Sequence, residues 1–174
     1  MTTIAAPMAT TKRVATAAYL DDMLVDLISL SLNAKQAHWH VTGPSFLPVH
    51  EQLDALASDV RDWADEVAER SITLGVPVDG RPSTIGAINA LKELPYGFLT
   101  GVEAVSEIGH QVADVADRIR IRLDFLGETD LVSQDLAIEV VRGLEKHLWM
   151  LQAQVAQPPA EASDNSDGKQ PFDS

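Results

Sequence analysis

The stretch 49-VHEQLDALASDVRDWADEVAER-70 decides the fold and points to the chemistry. Val49, Leu53, Leu56, Val60, Trp63 and Val67 recur at the three-to-four-residue spacing of one helix face. Flanking that stripe are two polar pairs, His50-x-x-x-Asp54 and Asp65-x-x-x-Glu69, each on one face of the helix. The pairs are mirror images about a point between residues 59 and 60. Asp54 and Asp65 share a stripe but stand roughly 16 Å apart along the axis, so one chain cannot bring both to one ion. If two copies of this helix cross antiparallel at a two-fold axis, His50 faces the partner's Glu69 and Asp54 faces the partner's Asp65. An isologous contact produces that meeting twice, because residue i meets j and j meets i. The spacing predicts a metal site shared by two subunits.

The rest of the chain is consistent with a helical assembly. Its 174 residues suit one domain with a sizeable core, and 45% are hydrophobic. There are no cysteines, which removes disulfides, thiolate zinc sites and thiol catalysis. No run has the length of a signal-peptide core or a membrane span, so a cytoplasmic location is expected. A net charge of −13 keeps the surface solvated and opposes general affinity for DNA phosphates, while remaining compatible with attraction of cations.

An Ala/Thr-rich segment, 1–14, reads as a flexible tail. Leu20, Leu24, Leu27, Ser31, Ala34 and His38 then mark a first helix, which Gly43-Pro44 interrupts. Ser45 is placed to cap the second helix, with Pro48 near its first turn. Residues 75–99 form a long connection with a short amphipathic helix near Ser83 to Leu91. Thr100-x-x-Glu103 is a capping box for a third helix, which carries Val105, Ile108, Val112, Val115, Ile119, Leu123 and Leu126 and is expected to stop at Gly127. A fourth helix begins near Asp130, and residues 157–174 read as a disordered acidic tail. Four long helices with one long crossover between the second and third predict an all-α, ferritin-like bundle over residues 15–156.

His38 ends the first helix and His50 begins the second, so antiparallel packing can bring both imidazoles to similar height. His40 points about 200° away from His38 and cannot share its direction. Two His and three carboxylates suit Fe(II), Mn(II) or Zn(II), and without sulfur a structural zinc site is disfavoured. The bland alternative makes Asp54, Asp65 and Glu69 a solvated face paired with Arg61 and Arg70. Glu107-x-x-His110 has no second Glu-x-x-His counterpart, so a di-iron site inside one bundle is incomplete. Trp39 and Trp149 read as packing residues first; Trp39, beside the metal face, has a second reading as an electron donor to a strong oxidant.

Lys35-Gln36-Ala37-His38-Trp39-His40-Val41, then Val49-His50-Glu51-Gln52-Leu53-Asp54, then Asp65-Glu66-Val67-Ala68-Glu69-Arg70, resembles the Dps family of mini-ferritins. The likeness extends to Glu145-Lys146-His147-Leu148-Trp149 and covers roughly residues 18 to 155. Most relatives carry Asn where this chain has His40. The resemblance implies a hollow homo-oligomer, a dodecamer, that binds Fe²⁺ between two-fold-related subunits, oxidises it with H₂O₂ or O₂ and stores ferric oxide. It assigns His38, His50 and Asp54 from one subunit and Asp65 and Glu69 from its partner as ligands, with other divalent metals such as zinc able to enter the same site. It also implies acidic three-fold pores near the start of the fourth helix, for which Glu128, Asp130 and Asp135 are candidates; capping of that helix is the competing reading. DNA binding is expected to be weak, since the N-terminal segment offers only Lys12 and Arg13 and the C-terminal one is acidic. The alternative function is a shell-forming metal-binding or DNA-associated protein with little ferroxidase turnover.

Overall fold

The second helix carries the whole polar pattern, and the rest of the fold places it. In the computed structural model, which describes residues 8–156, α2 runs Phe46–Thr73. Val49, Leu53, Leu56, Val60 and Val67 are buried along it, so the stripe read from spacing is the core face. α1 (Thr10–His40) packs along α2 and buries Leu20, Leu24, Leu27, Ser31, Ala34 and His38. α4 (Gly101–Arg120) and α6 (Leu131–Val155) form the second packed pair; α1 packs against α4, and α2 against both. The four long helices close on one apolar core, to which fully buried Leu53 and Leu56 each contribute on the order of 2 kcal/mol.

The crossover contains the expected short helix, α3 (Pro82–Ile88), with proline in its first turn where a missing N–H is harmless. One further feature, outside the helices, carries no sequence signal. β1 (Val41–Thr42) and β2 (Leu99–Thr100) pair in parallel, Val41 to Leu99 and Thr42 to Thr100. This two-residue bridge ties the end of α1 to the start of α4, and Gly43, at φ 95°, supplies the turn from it into α2. A Cβ at Gly101 would overlap the Ser45 hydroxyl, so glycine there lets α4 begin hard against α2.

Four features differ from those expected from the sequence. α1 begins at Thr10, inside the segment 1–14 expected to be a tail, because Lys12 donates to the Glu128 carbonyl and Arg13 to the Leu74 carbonyl. Ser45 sits at the N-cap of α2, yet its side chain makes no capping bond. The third helix does not run unbroken to Gly127. It ends at Arg120, and a separate α5 (Leu123–Thr129) follows, in which Gly127 is interior. The break falls where Arg122 turns toward Asp22 at 3.0 Å and stacks on Tyr19. Trp39 and Trp149 are 64% and 66% exposed rather than packed in the chain. The residue that fills the α2–α6 gap is Trp63, for which Gly143 leaves room.

Two expectations hold in detail. Thr100 and Glu103 complete a reciprocal capping box at α4, and Asp130 caps α6 by accepting from the Ser133 N–H at 3.0 Å. The proposed C-terminal tail lies outside the described residues. Within them, no helix is long and apolar enough to cross a membrane.

Candidate metal centre

The antiparallel turn from α1 into α2 stacks the His38 and His50 rings, with centroids 3.6 Å apart and planes inclined by 20°. Each ring is fixed by the other's backbone. His38 Nδ1 lies 2.9 Å from the His50 carbonyl, and His50 Nδ1 lies 2.8 Å from the His38 carbonyl. A carbonyl only accepts, so both Nδ1 atoms carry the proton and both Nε2 lone pairs are left free. This is the tautomer a metal ligand needs, held by the kind of outer hydrogen bond that orients ligating imidazoles. Phe46 covers His50 at 4.8 Å between centroids.

The stacking also bears on how many ions the pair can serve. An imidazole lone pair lies in its ring plane. Two nearly parallel planes 3.6 Å apart cannot converge on one ion at about 2 Å from each nitrogen. The arrangement suits two neighbouring ions, one per ring, as in two-metal sites with ions about 4 Å apart.

Asp54 stands one turn beyond His50 and makes an ion pair with Lys35 of α1. The Lys35 hydrogen bond holds the Asp54 carboxyl below its ordinary value, outweighing desolvation, which acts the other way. Lys35 was not singled out by spacing, although it lies three residues before His38 on the same helix face. His50 and Asp54 open onto a groove of about 750 Å³, also lined by Ser58, Arg61 and Asp62.

Asp65 and Glu69 are exposed further along α2, and neither forms an ion pair among the described residues. Of the two partners expected for them in the bland reading, Arg61 forms no ion pair among the described residues, and Arg70 is engaged elsewhere. Its Nη2 lies 2.6 Å from Asp130 and its Nε donates to the Ser133 hydroxyl at 3.1 Å. Among the described residues, no three His, Asp or Glu side chains of one chain gather to hold an ion. The structure thus stacks His38 on His50, with Asp54 one turn beyond His50, and leaves Asp65 and Glu69 further along the helix.

The remaining candidates separate clearly. His40 Nδ1 turns back to the Gln36 carbonyl at 2.7 Å and its ring lies near Phe98, away from His38. Trp39 faces outward next to His38. Glu107 pairs with Lys92 at 3.2 Å and His110 is exposed, so that pair holds no site in the bundle. Glu128 and Asp135 are exposed near the start of α6. Asp130 is committed to the helix cap and to Arg70; burial alone would raise its carboxyl, but Ser133 and Arg70 outweigh that and hold it below the ordinary value.

One group escaped the sequence reading. His147 of α6 is buried against α2, bonded to Gln52 and Asp59, 95 and 88 residues away in sequence. Nothing local announces such a contact.

Residues 17–159 match the ferritin-like domain family. DNA protection during starvation protein 2 of Deinococcus radiodurans is 33% identical over 148 residues, covering 85% of this chain and 61% of that protein, so the chain spans less than two thirds of this relative's length. The DNA protection during starvation protein of Agrobacterium fabrum is 32% identical over 137 residues, covering 78% of this chain and 85% of the relative. Among solved structures, Dps from Microbacterium arborescens in its high iron form superposes with a TM-score of 0.81 at 36% identity, covering 87% of this chain and all of that one.

Proposed function

This chain belongs to the Dps family of ferritin-like proteins, and from that premise we propose that it is an iron-storing ferroxidase whose sites lie between two-fold-related subunits. The observation that carries the reading is the reciprocal His38–His50 pair. It presents two free Nε2 atoms one turn from Asp54, while Asp65 and Glu69, without an ion-pair partner among the described residues, lie on the same helix out of reach. A second copy related by a two-fold axis supplies the missing half.

Fe²⁺ is the substrate. Asp65 and Glu69 of one subunit, with His38 of the other, form the tighter binding position. His50 and Asp54 form the neighbouring one. Two adjacent ferrous ions give one electron each to hydrogen peroxide; with two protons its O–O bond breaks to yield two waters, and no hydroxyl radical is released. The carboxylates offset the charge gained as iron becomes ferric. Lys35 keeps Asp54 ionised and in place before iron arrives. Ferric product accumulates as oxide inside a hollow shell, for which the family expectation is twelve subunits. Glu128 and Asp135 are the acidic groups left to line an entry pore; Asp130, locked to Arg70, is the weaker pore candidate. Trp39, exposed next to His38, is placed to give an electron to a stray oxidant. The location proposed is the cytoplasm. DNA is protected through removal of iron and peroxide rather than through tight binding, given a net charge of −13.

The test is anaerobic titration with Fe²⁺ followed by peroxide, on wild type and on Asp65→Ala/Glu69→Ala. Rapid oxidation to a soluble ferric product, lost in the variant, is the expected result. Equal rates in both would reduce the mirrored pairs to surface charge.

A further inference from the structure

His147 grips α2 from the side opposite the metal face. It is 5% exposed, with Nδ1 2.9 Å from the Gln52 amide nitrogen and Nε2 2.8 Å from an Asp59 carboxylate oxygen. An ionised carboxylate only accepts, so Nε2 carries the proton and Nδ1 accepts from Gln52. Both nitrogens are used, and neither is left for a metal.

Gln52 and Asp59 are seven residues apart, two turns along one face of α2. One imidazole bonded to both resists sliding of α2 along α6 and rolling against it. A turn further on, the Trp63 ring meets His147 edge-on, with centroids 6.2 Å apart, and covers Gly143, one turn before His147 on α6. Gln52 lies between the ligands His50 and Asp54, and Asp59 lies at the mirror point of the two polar pairs. The grip therefore falls at the centre of the ligand-bearing segment.

A site shared across a two-fold axis makes that placement matter. The partner's α2 runs in the opposite direction, so a slip of each helix along its own axis separates facing ligands by twice the slip. Metal–ligand distances tolerate only about 0.2 Å.

We propose that His147 is a positioning residue for the shared metal site, fixing the axial register of residues 50–69 through Gln52 and Asp59. The inference rests on the shared-site reading above. Its test is Co²⁺ alone, titrated into the full assembled protein without oxidant, with affinity and visible absorption spectrum as readouts. His147→Phe and Asp59→Ala are expected to weaken binding about tenfold, the low end for outer partners of a metal site, and to alter the spectrum. Asp59→Asn keeps an acceptor for the Nε2 proton and is expected to restore wild-type affinity and spectrum. Asp26→Asn is the stability control. It removes the negative charge from the buried pair with Arg118, 2.7 Å long, about three turns from His38, and is expected to lower Tm without touching cobalt binding. Wild-type affinity in a folded His147→Phe or in Gln52→Met would overturn the proposal, as would equal weakening in Asp26→Asn. Should His147→Phe not fold, Gln52→Met and Asp59→Ala decide the matter. Cobalt binding that survives Asp65→Ala/Glu69→Ala would instead remove the shared site itself, a failure visible apart from that of the clamp.

Discussion

On the α1 side of α2, His38 and His50 each give Nδ1–H to the other's carbonyl and keep Nε2 open; on the α6 side, His147 commits both nitrogens, one to Gln52 and one to Asp59. All three rings sit at helix contacts, and His38 and His147 are similarly buried, 8% and 5% exposed. Burial therefore does not separate a proposed ligand from a fastening. The hydrogen bonds do, because they decide where the lone pairs go. The two sides of α2 accordingly divide the work. One is locked by side chains that satisfy each other, and the other is left chemically incomplete in a single chain.

The sharpest way to break this comparison is on the locked side. Arg70→Ala removes the partner of Asp130 at a mostly buried pair and is expected to lower stability by about 3 kcal/mol, measured by urea denaturation. The sign with pH follows from the depressed Asp130 carboxyl. Its contribution is fully present above the ordinary aspartate value of about 4 and is lost as pH falls through the lower folded value. The gap between wild type and Arg70→Ala should narrow on acidification below about pH 4; a constant gap would remove the ion pair as its source. On the open side, His38→Ala is expected to slow peroxide-driven Fe²⁺ oxidation about 100-fold, the scale for losing a group that holds metal in place, with Tm moved far less than by Arg70→Ala. A larger Tm loss than rate loss would invert the division of roles.

Gly143→Ala returns to the locked side. A Cβ there overlaps the Trp63 indole, and overpacking of about 2 kcal/mol outweighs the roughly 1 kcal/mol helix preference of Ala over Gly. A net loss near 1 kcal/mol is expected by thermal melting, and stabilisation would show that the indole yields freely. The smallest effect belongs to Lys35→Met. Asp54 is largely exposed, so Tm should not change, while oxidation slows by less than tenfold. A Tm drop would show that the Lys35–Asp54 contact fastens α1 to α2.

The features legible in the sequence were those whose partners lie within a turn or two. The α2 stripe, the capping box at Thr100 and the Asp130 cap are local patterns, and the structure places each as expected. The two polar pairs proposed as ligands were visible for the same reason: each is spaced by four. What stayed hidden depends on distant chain. The break after Arg120 has no proline or glycine to announce it and follows from Arg122 reaching Asp22 and Tyr19. The β1–β2 bridge is two residues long, too short for alternation to show. The early start of α1 needs the Leu74 and Glu128 carbonyls, and the role of His147 needs Gln52 and Asp59.

The reciprocal bonds between His38 and His50 carry a lesson about inheritance. Each ring is anchored by the backbone of the residue that bears the other, and the two rings stack face to face. Replacing one histidine removes a proposed ligand and the ring on which its neighbour stacks, while the carbonyl that anchors the neighbour stays in place, so the effects of the two replacements overlap in part. The harm of the double change should fall short of that of the two single changes added together. Among descendants of this chain the two positions would be kept as a pair or abandoned as a pair, and a lineage with only one of them would mark a site already out of use.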